Sequence, residues 1–296
     1  MKALIRGTEI YFDIAGMHIE PNGNKLIEKP VLFLIHGGPG GNHLHFKNDS
    51  IKLQNTAQLV FIDQRGCGWS KKTKKSDYTL ENNIEDIEAL RKYLGLNKIC
   101  ILGHSYGGMV AQGYAIRYGK NVEKLILSAT APSYHFIEEA KEKLLKIGNK
   151  QQINICDKYL WNGAFRSERE IDHYYKVMDS LYYTGKKRRK KQTKSKTTSK
   201  QEPLKNIFSY EVLNVGFSGF LHDFNFIPKL KKIKSPTLIL AGNDDWVCSP
   251  TQSQIMAKHI PNATLKIFKK CSHIISMDAP DRYLKEITNF LKRKDK

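Results

Sequence analysis

The segment Gly103-His104-Ser105-Tyr106-Gly107-Gly108 limits what this chain can fold into more than any other. It follows the apolar run Lys98-Ile99-Cys100-Ile101-Leu102 and precedes a stretch able to continue as a helix from Met109 to Tyr118. A strand that passes through a sharp turn into a helix exposes the residue at the turn. The glycines two residues either side of Ser105 let such a turn close without Cβ clashes, so the serine can hold a strained backbone angle and present its hydroxyl. Alone, a Gly-x-Ser-x-Gly arises by chance in about one chain in ten of this length. The run His36-Gly37-Gly38-Pro39-Gly40 is far rarer, and it too follows a buried-strand pattern, Val31-Leu32-Phe33-Leu34-Ile35.

Together these two segments supply the parts of an acyl-transfer site. The oxygen that becomes negative when a nucleophile attacks a carbonyl needs hydrogen-bond donors aimed at it. Gly-rich turns provide backbone N–H groups, and the expected pair is Tyr106, just after the nucleophile, with Gly38 from the earlier loop. A serine hydroxyl also needs a general base, and that base needs an orienting acid. In this class of sheet the chain order is Ser, acid, His. The strand-like Pro236 to Gly242 ends in Asn243-Asp244-Asp245, and Leu265 to Phe268 is followed by Cys271-Ser272-His273. His273 is therefore the expected base, ahead of His259 in a helical-looking stretch. The acid is Asp245, Asp244 or, more remotely, Asp278. His43 and His45 follow the oxyanion turn and read as ordinary loop histidines, and His104 as structural beside the elbow.

Short apolar runs near 10–14, 31–35, 58–62, 98–102, 124–128, 236–241 and 264–268 alternate with helical patterns at 81–94, 109–118, 136–147, 251–259 and 281–292. That alternation predicts an α/β fold: a mostly parallel sheet with helices on both faces. The stretch from Pro132 to about Lys234 loses the rhythm and is rich in Tyr, Phe and Trp. It reads as a mainly helical cap at 132–234, inserted into a core of 1–131 and 235–296. No stretch approaches the ~20 apolar residues of a membrane span, and the N-terminus does not read as a signal peptide, so a cytoplasmic address and no membrane partner are expected. The five cysteines have no paired metal-type spacing and read as free thiols. No metal or organic cofactor is expected. Cys67, Cys248 and Cys271 fall in or beside loops of the expected catalytic face, so bulky thiol reagents are expected to block the site. The formal net charge of +20 is partly concentrated in a basic tract from Lys186 to Lys200. Such a segment buries too little apolar surface to order itself. Without a nucleic-acid module or interleaved aromatics, it reads as a solvated insertion rather than a nucleic-acid site.

With these residues in hand, the chain resembles the proline iminopeptidase (prolyl aminopeptidase) family of α/β-hydrolase serine peptidases. The resemblance rests on His36 to Gly40, Asp63-Gln64-Arg65-Gly66-Cys67-Gly68-Trp69-Ser70, Gly103 to Gly108, Asn243 to Pro250 and Cys271-Ser272-His273. It covers both halves of the sheet and thins in the cap. In that family the acid stands three residues after the glycine ending its strand, which from Gly242 implies Asp245. The resemblance thus implies a triad of Ser105, Asp245 and His273, and release of an N-terminal residue, often proline, from short peptides.

One departure bears on substrate. Some members of the family place a Glu directly after the catalytic Asp, and another in the cap, to hold the substrate's free amine. This chain has Trp246 there. An amine taken out of water needs a carboxylate partner, so Glu211 and Asp223 become the candidates in the cap, with Glu202 close to the basic tract. Three functions follow in order: a serine exopeptidase acting on small peptides, the same machinery acting on an ester, lactone or simple amide, and a non-catalytic protein that binds through its basic insertion.

Overall fold

The computed structural model describes residues 1–184 and 208–293. The basic tract at 186–200 and Glu202 lie outside the described residues, as does the side chain of His45. The strands are β1 (Lys2–Ile5), β2 (Thr8–Ala15), β3 (Ile19–Asn22), β4 (Lys25–Glu28), β5 (Val31–Ile35), β6 (Gln58–Ile62), β7 (Ile99–His104), β8 (Val122–Ser128), β9 (Thr237–Gly242) and β10 (Ala263–Phe268). Eight of them form one sheet in the order β1-β2-β6-β5-β7-β8-β9-β10. Every pairing from β6 to β10 is parallel, and β1 and β2 add an antiparallel edge.

The strand interiors are apolar on both faces because both faces are covered. Alternation still sorts them. Phe33, Ile35, Ile101, Leu125, Leu127 and Ile239 enter one core, while Leu32, Leu34, Cys100, Leu102, Ile126 and Leu240 enter the other. The first core is covered by α2 (Leu80–Tyr93) and α3 (Tyr106–Arg117). Helix α2 starts where the Thr79 side chain accepts from the Asn82 N–H, and it buries Leu80, Ile84, Ile87 and Leu90, the spacing of one helical face. The second core is closed by α10 (Pro280–Lys292), whose Tyr283, Ile287, Phe290 and Leu291 repeat that spacing.

Between β8 and β9 the described chain is helical: α4 (Phe136–Ile147), α5 (Lys150–Ile155), α6 (Glu168–Tyr182) and α7 (Tyr210–Phe217). Its aromatics pack into the same core as α3, which is why α3 is buried from Tyr106 to Ala115 on nearly all sides. Three further helices follow loops of the sheet: α1 (Leu44–Ser50), α8 (Pro250–His259) and the short α9 (Ile275–Asp278).

Two features of the sheet's first half lie outside the sequence expectations. Strand β1 is an added edge. Strands β3 and β4 form a separate hairpin, turned at the two-residue loop Gly23-Asn24 with Gly23 at φ +60°, and a glycine at the first position of such a loop is a hairpin signal in its own right.

Candidate active site

Strand order reverses between β5 and β7, because the chain leaves β5 for β6 on one side and returns to β7 on the other. The carboxyl ends of strands at such a reversal open a crevice. The loop after β5 carries His36 to Gly41, and the turn after β7 carries Ser105. Loops after β9 and β10 bring Asp245 and His273 to the same end.

Ser105 sits at φ +53°, ψ −123°, a conformation that L-residues avoid and that surrounding contacts must enforce. Its N–H donates to Ser128 O at 2.9 Å, and its carbonyl accepts from Thr130 Oγ1 at 2.7 Å and from the Gly108 N–H at 2.8 Å. Close packing is the second constraint. A Cβ on Gly107 would stand 2.6 Å from the His36 carbonyl oxygen and nearer still to that of Ile35. The elbow therefore rests directly against the end of β5.

His273 Nε2 lies 3.0 Å from Ser105 Oγ, and its Nδ1 lies 3.0 and 2.9 Å from the two carboxylate oxygens of Asp245. Asp245 is wholly buried, and its Oδ1 also accepts the Val247 and Cys248 N–H groups at 2.8 and 3.0 Å. A carboxylate so held can orient the imidazole as Nδ1–H donor, leaving Nε2 to accept the serine proton. The alternatives stand elsewhere. Asp244 is exposed, with the Asn243 amide donating to it. Asp278 accepts from the Ser272 N–H at 2.7 Å and from the Thr184 N–H, so it braces the loop carrying His273. His259 is exposed at the end of α8, its Nδ1 2.8 Å from Ile255 O.

The glycine-rich loop after β5 is set by a polar network beneath it. The Gln64 N–H donates to His36 Nε2 at 3.0 Å, His36 Nδ1 donates to Gly37 O at 2.9 Å, and the Gln64 amide donates to His36 O at 2.8 Å. Burial lowers the pKa of His36, consistent with a neutral ring that accepts at Nε2. Asp63 accepts from the His43 N–H and ring Nδ1 and from the Trp69 N–H, at 2.7 to 2.9 Å, which makes His43 part of this scaffold. Arg65 grips Asp86 with two bonds of 2.9 and 2.7 Å. Gly37, Gly38 and Gly41 line the cavity at Ser105. Tyr106 begins α3, so its N–H has no intrahelical acceptor.

That cavity has a volume of about 140 Å³. An engineered hole of comparable size, ~150 Å³, holds a benzene ring. Its apolar walls include Trp161, Tyr175, Tyr182, Phe217 and Trp246. Tyr182 lies edge-on to both His273 and Trp246, at 5.8 and 5.6 Å between centroids. Burial raises the phenol pKa of Tyr175 and of Tyr182, so both rings stay neutral. His104 lines the cavity, its ring 5.1 Å from that of His273.

Of the three residues expected to meet substrate, Trp246 lines the cavity; its indole N–H is buried with no hydrogen-bond partner among the described residues. Glu211 and Asp223 do not line it. Leu213 and Phe217 of α7 do, and Glu211, two residues before Leu213, points about 200° away around the helix. It pairs with Lys72 at 3.5 Å instead. Asp223 is exposed just after the turn Phe220–His222. The cysteine expectation also needs correction. Cys67, Cys248 and Cys271 are at most 2% exposed, and burial raises all three thiols, Cys271 to about 11. Nothing near this cavity presents an accessible thiolate among the described residues.

Each site loop is also bonded to the helical layer. The Ser209 N–H, just before α7, donates to Gly40 O at 2.8 Å. From α4, Lys143 Nζ donates to Asp245 O at 2.7 Å, and Glu139 accepts from Ser249 Oγ and the Gln252 amide at 2.6 and 2.8 Å. The Ile274 N–H donates to Tyr182 O at 3.0 Å, and Ser272 Oγ donates to Leu181 O.

Sheet, elbow and crevice define a hydrolase of the α/β-hydrolase fold, and the model of that family matches residues 30–280. Proline iminopeptidase PfmaB of Pestalotiopsis fici is 31% identical over 296 residues, covering 98% of each chain. The proline iminopeptidase of Saccharolobus solfataricus is 31% identical over 273 residues, covering 88% of this chain and 84% of its own. Among solved structures, an α/β fold family hydrolase from Bacillus anthracis superposes with a TM-score of 0.78 at 21% identity, covering 98% of both chains. The chain belongs to the proline iminopeptidase family.

Proposed function

We propose that this protein is a serine aminopeptidase that releases N-terminal proline, or another small apolar residue, from short peptides. The observation that carries the reading is the unbroken hydrogen-bonded line from Asp245 through His273 to Ser105 Oγ at the mouth of a small aromatic cavity. In this mechanism His273 takes the Ser105 proton as Oγ attacks the scissile carbonyl. The N–H groups of Gly38 and Tyr106 hold the resulting oxyanion, and each such donor is worth ~3 kcal/mol of barrier. His273 then gives its proton to the departing amine. A water, activated in turn by His273, hydrolyses the acyl-enzyme and frees the amino acid.

The helices between β8 and β9 act as the cap, with residues 132–234 as its extent and 1–131 with 235–296 as the core. Exclusion of long or folded chains follows from the cavity's size. Five cysteines present as free thiols suit a reducing compartment such as the cytoplasm, and no helix among the described residues is long and apolar enough to cross a membrane.

The test is hydrolysis of Pro-p-nitroanilide, N-blocked Pro-p-nitroanilide and p-nitrophenyl acetate by the wild type and by Ser105→Ala. Cleavage that favours the free proline and falls by several orders of magnitude in the variant supports the proposal. Cleavage of the ester alone would reassign the protein to ester, lactone or amide hydrolysis.

A further inference from the structure

If the protein is an aminopeptidase, its site must hold an ammonium group where little water reaches. Charge of that kind is tolerated only beside an anionic partner. The cap carboxylates expected to serve do not reach the cavity, since Glu211 is turned to Lys72 and Asp223 to solvent. Trp246 cannot replace them, because its indole N–H is itself a donor and its ring, though able to attract a cation weakly through its face, carries no negative charge. Asp245 is wholly buried behind His273, and its carboxylate already takes three N–H groups.

Among the described residues that line the cavity, one carboxylate remains, that of Asp49. It stands near the end of α1, the helix that follows the oxyanion loop. Ser276, on α9 just beyond His273, donates its hydroxyl to Asp49 Oδ2 at 2.9 Å. Both residues line the same cavity as Gly38, Ser105 and His273. The hydroxyl fixes the carboxylate's rotation, and a carboxylate offers about four acceptor directions, so accepting from Ser276 is compatible with accepting from an ammonium. The negative field of Asp49 also reaches into the pocket. After burial and the Ser128 hydrogen bond, it is the next influence on the phenol of Tyr283, another lining residue, and it acts to keep that phenol protonated.

We propose that Asp49, oriented by Ser276, is the anchor for the substrate's free α-amine, in place of the family's glutamate after the catalytic acid. This rests on the aminopeptidase reading. In this chain, then, the amine is held from the side of α1 and α9 rather than from the cap, and the aromatic wall is left to the side chain of the released residue.

The test compares wild type, Asp49→Asn and Ser276→Ala on Pro-p-nitroanilide and on its N-blocked counterpart, with kcat and KM separated and thermal unfolding recorded. Asn keeps the acceptor for Ser276 while removing the charge. The expected result is a rise of tenfold or more in KM for the free-amine substrate in Asp49→Asn. The preference for free over blocked substrate should fall by the same factor, and Ser276→Ala should move both quantities by a smaller factor in the same direction. An Asp49→Asn enzyme that melts like wild type and keeps the wild-type preference overturns the anchor while leaving the peptidase reading intact. If Asp49→Asn does not fold, an unchanged preference in Ser276→Ala overturns it instead. A wild type that cleaves only esters removes both readings at once.

Discussion

Replacing Asp245 by asparagine probes the relay without removing an atom from its skeleton. In the wild-type site Oδ1 accepts the Val247 and Cys248 N–H groups at 2.8 and 3.0 Å, while His273 Nδ1 lies 2.9 Å from Oδ2 and 3.0 Å from Oδ1. An amide has one oxygen, and the two backbone donors claim it at the Oδ1 position. The new NH2 group then falls where Oδ2 was, against His273 Nδ1. Two N–H donors facing each other at that distance repel, and the remaining oxygen, 3.0 Å from Nδ1, is already shared by two backbone donors, so the imidazole shifts toward the tautomer with its lone pair on Nδ1 and its proton on Nε2. Nε2 is 3.0 Å from Ser105 Oγ, and once protonated it cannot take the hydroxyl's proton. A tautomer locked the wrong way lowers kcat by about 10⁴ in a serine peptidase, which at 1.36 kcal/mol per decade is a barrier increase of about 5.4 kcal/mol. Asp245 is wholly buried and does not line the cavity, so KM should change little. Steady-state kinetics on the best Ser105-dependent substrate, with a melting curve for each protein, provides the measurement. A well-folded Asp245→Asn enzyme within tenfold of the wild-type kcat would refute the assignment of Asp245 as the orienting acid.

Two predictions concern the scaffold rather than the chemistry. Gly107→Ala forces a methyl group onto the carbonyl oxygens of Ile35 and His36 at the end of a central strand; overpacking of this kind costs about 1–3 kcal/mol or more, and both the urea midpoint and the activity should drop. His36 is expected to make stability fall with acidification: its pKa is lowered in the folded protein, so below the ordinary value of 6.5 the unfolded chain binds a proton that the folded one refuses. The slope from this residue is at most about 1.36 kcal/mol per pH unit between 6.5 and the folded value, and urea titrations between pH 7.5 and 5 should show a shallower decline in His36→Gln than in wild type. Parallel declines in the two proteins would contradict the buried, neutral assignment of His36.

Legibility of the fold tracked how local its causes were. The expected strands at 31–35 and 58–62 coincide with β5 and β6, because a strand buried on both faces must be apolar throughout and shows as an unbroken run. Helix α3 begins at Tyr106 rather than at 109, since a Gly-Gly pair looks like a turn even where close packing has drawn it into the first helical turn. The short α1 follows the Gly-rich loop and offers too little apolar rhythm to stand out. The three residues that the structure brings together, Ser105, Asp245 and His273, are legible as candidates because each follows a strand end, and strand ends are visible. The cap carboxylates show the opposite case. Charge and region point to Glu211 and Asp223, but a helical residue such as Glu211 meets a cavity only if its phase allows it, and neither charge nor region carries the phase of α7. Asp49 carries no local mark at all: its partner Ser276 is 227 residues away in the chain, and only folding brings them together.

The bonds between the site loops and the helical layer bear on how such a layer could be exchanged between relatives. On the layer's side, the groups bonded to Gly40, Ser272 and Ile274 are main-chain atoms, the Ser209 N–H and the carbonyls of Leu181 and Tyr182, while Thr184 Oγ1 adds one side-chain bond, to Lys270 O at 2.9 Å. Main-chain donors and acceptors are supplied by every residue except proline, which lacks the donor. Mutation can therefore rewrite the side chains facing the cavity while these two moorings persist. The acid loop differs, because it hangs from the side chains of Lys143 and Glu139. A layer grafted from a distant relative should inherit the first two moorings from its backbone path alone, and would need those two residues of α4 transplanted with it to keep the third.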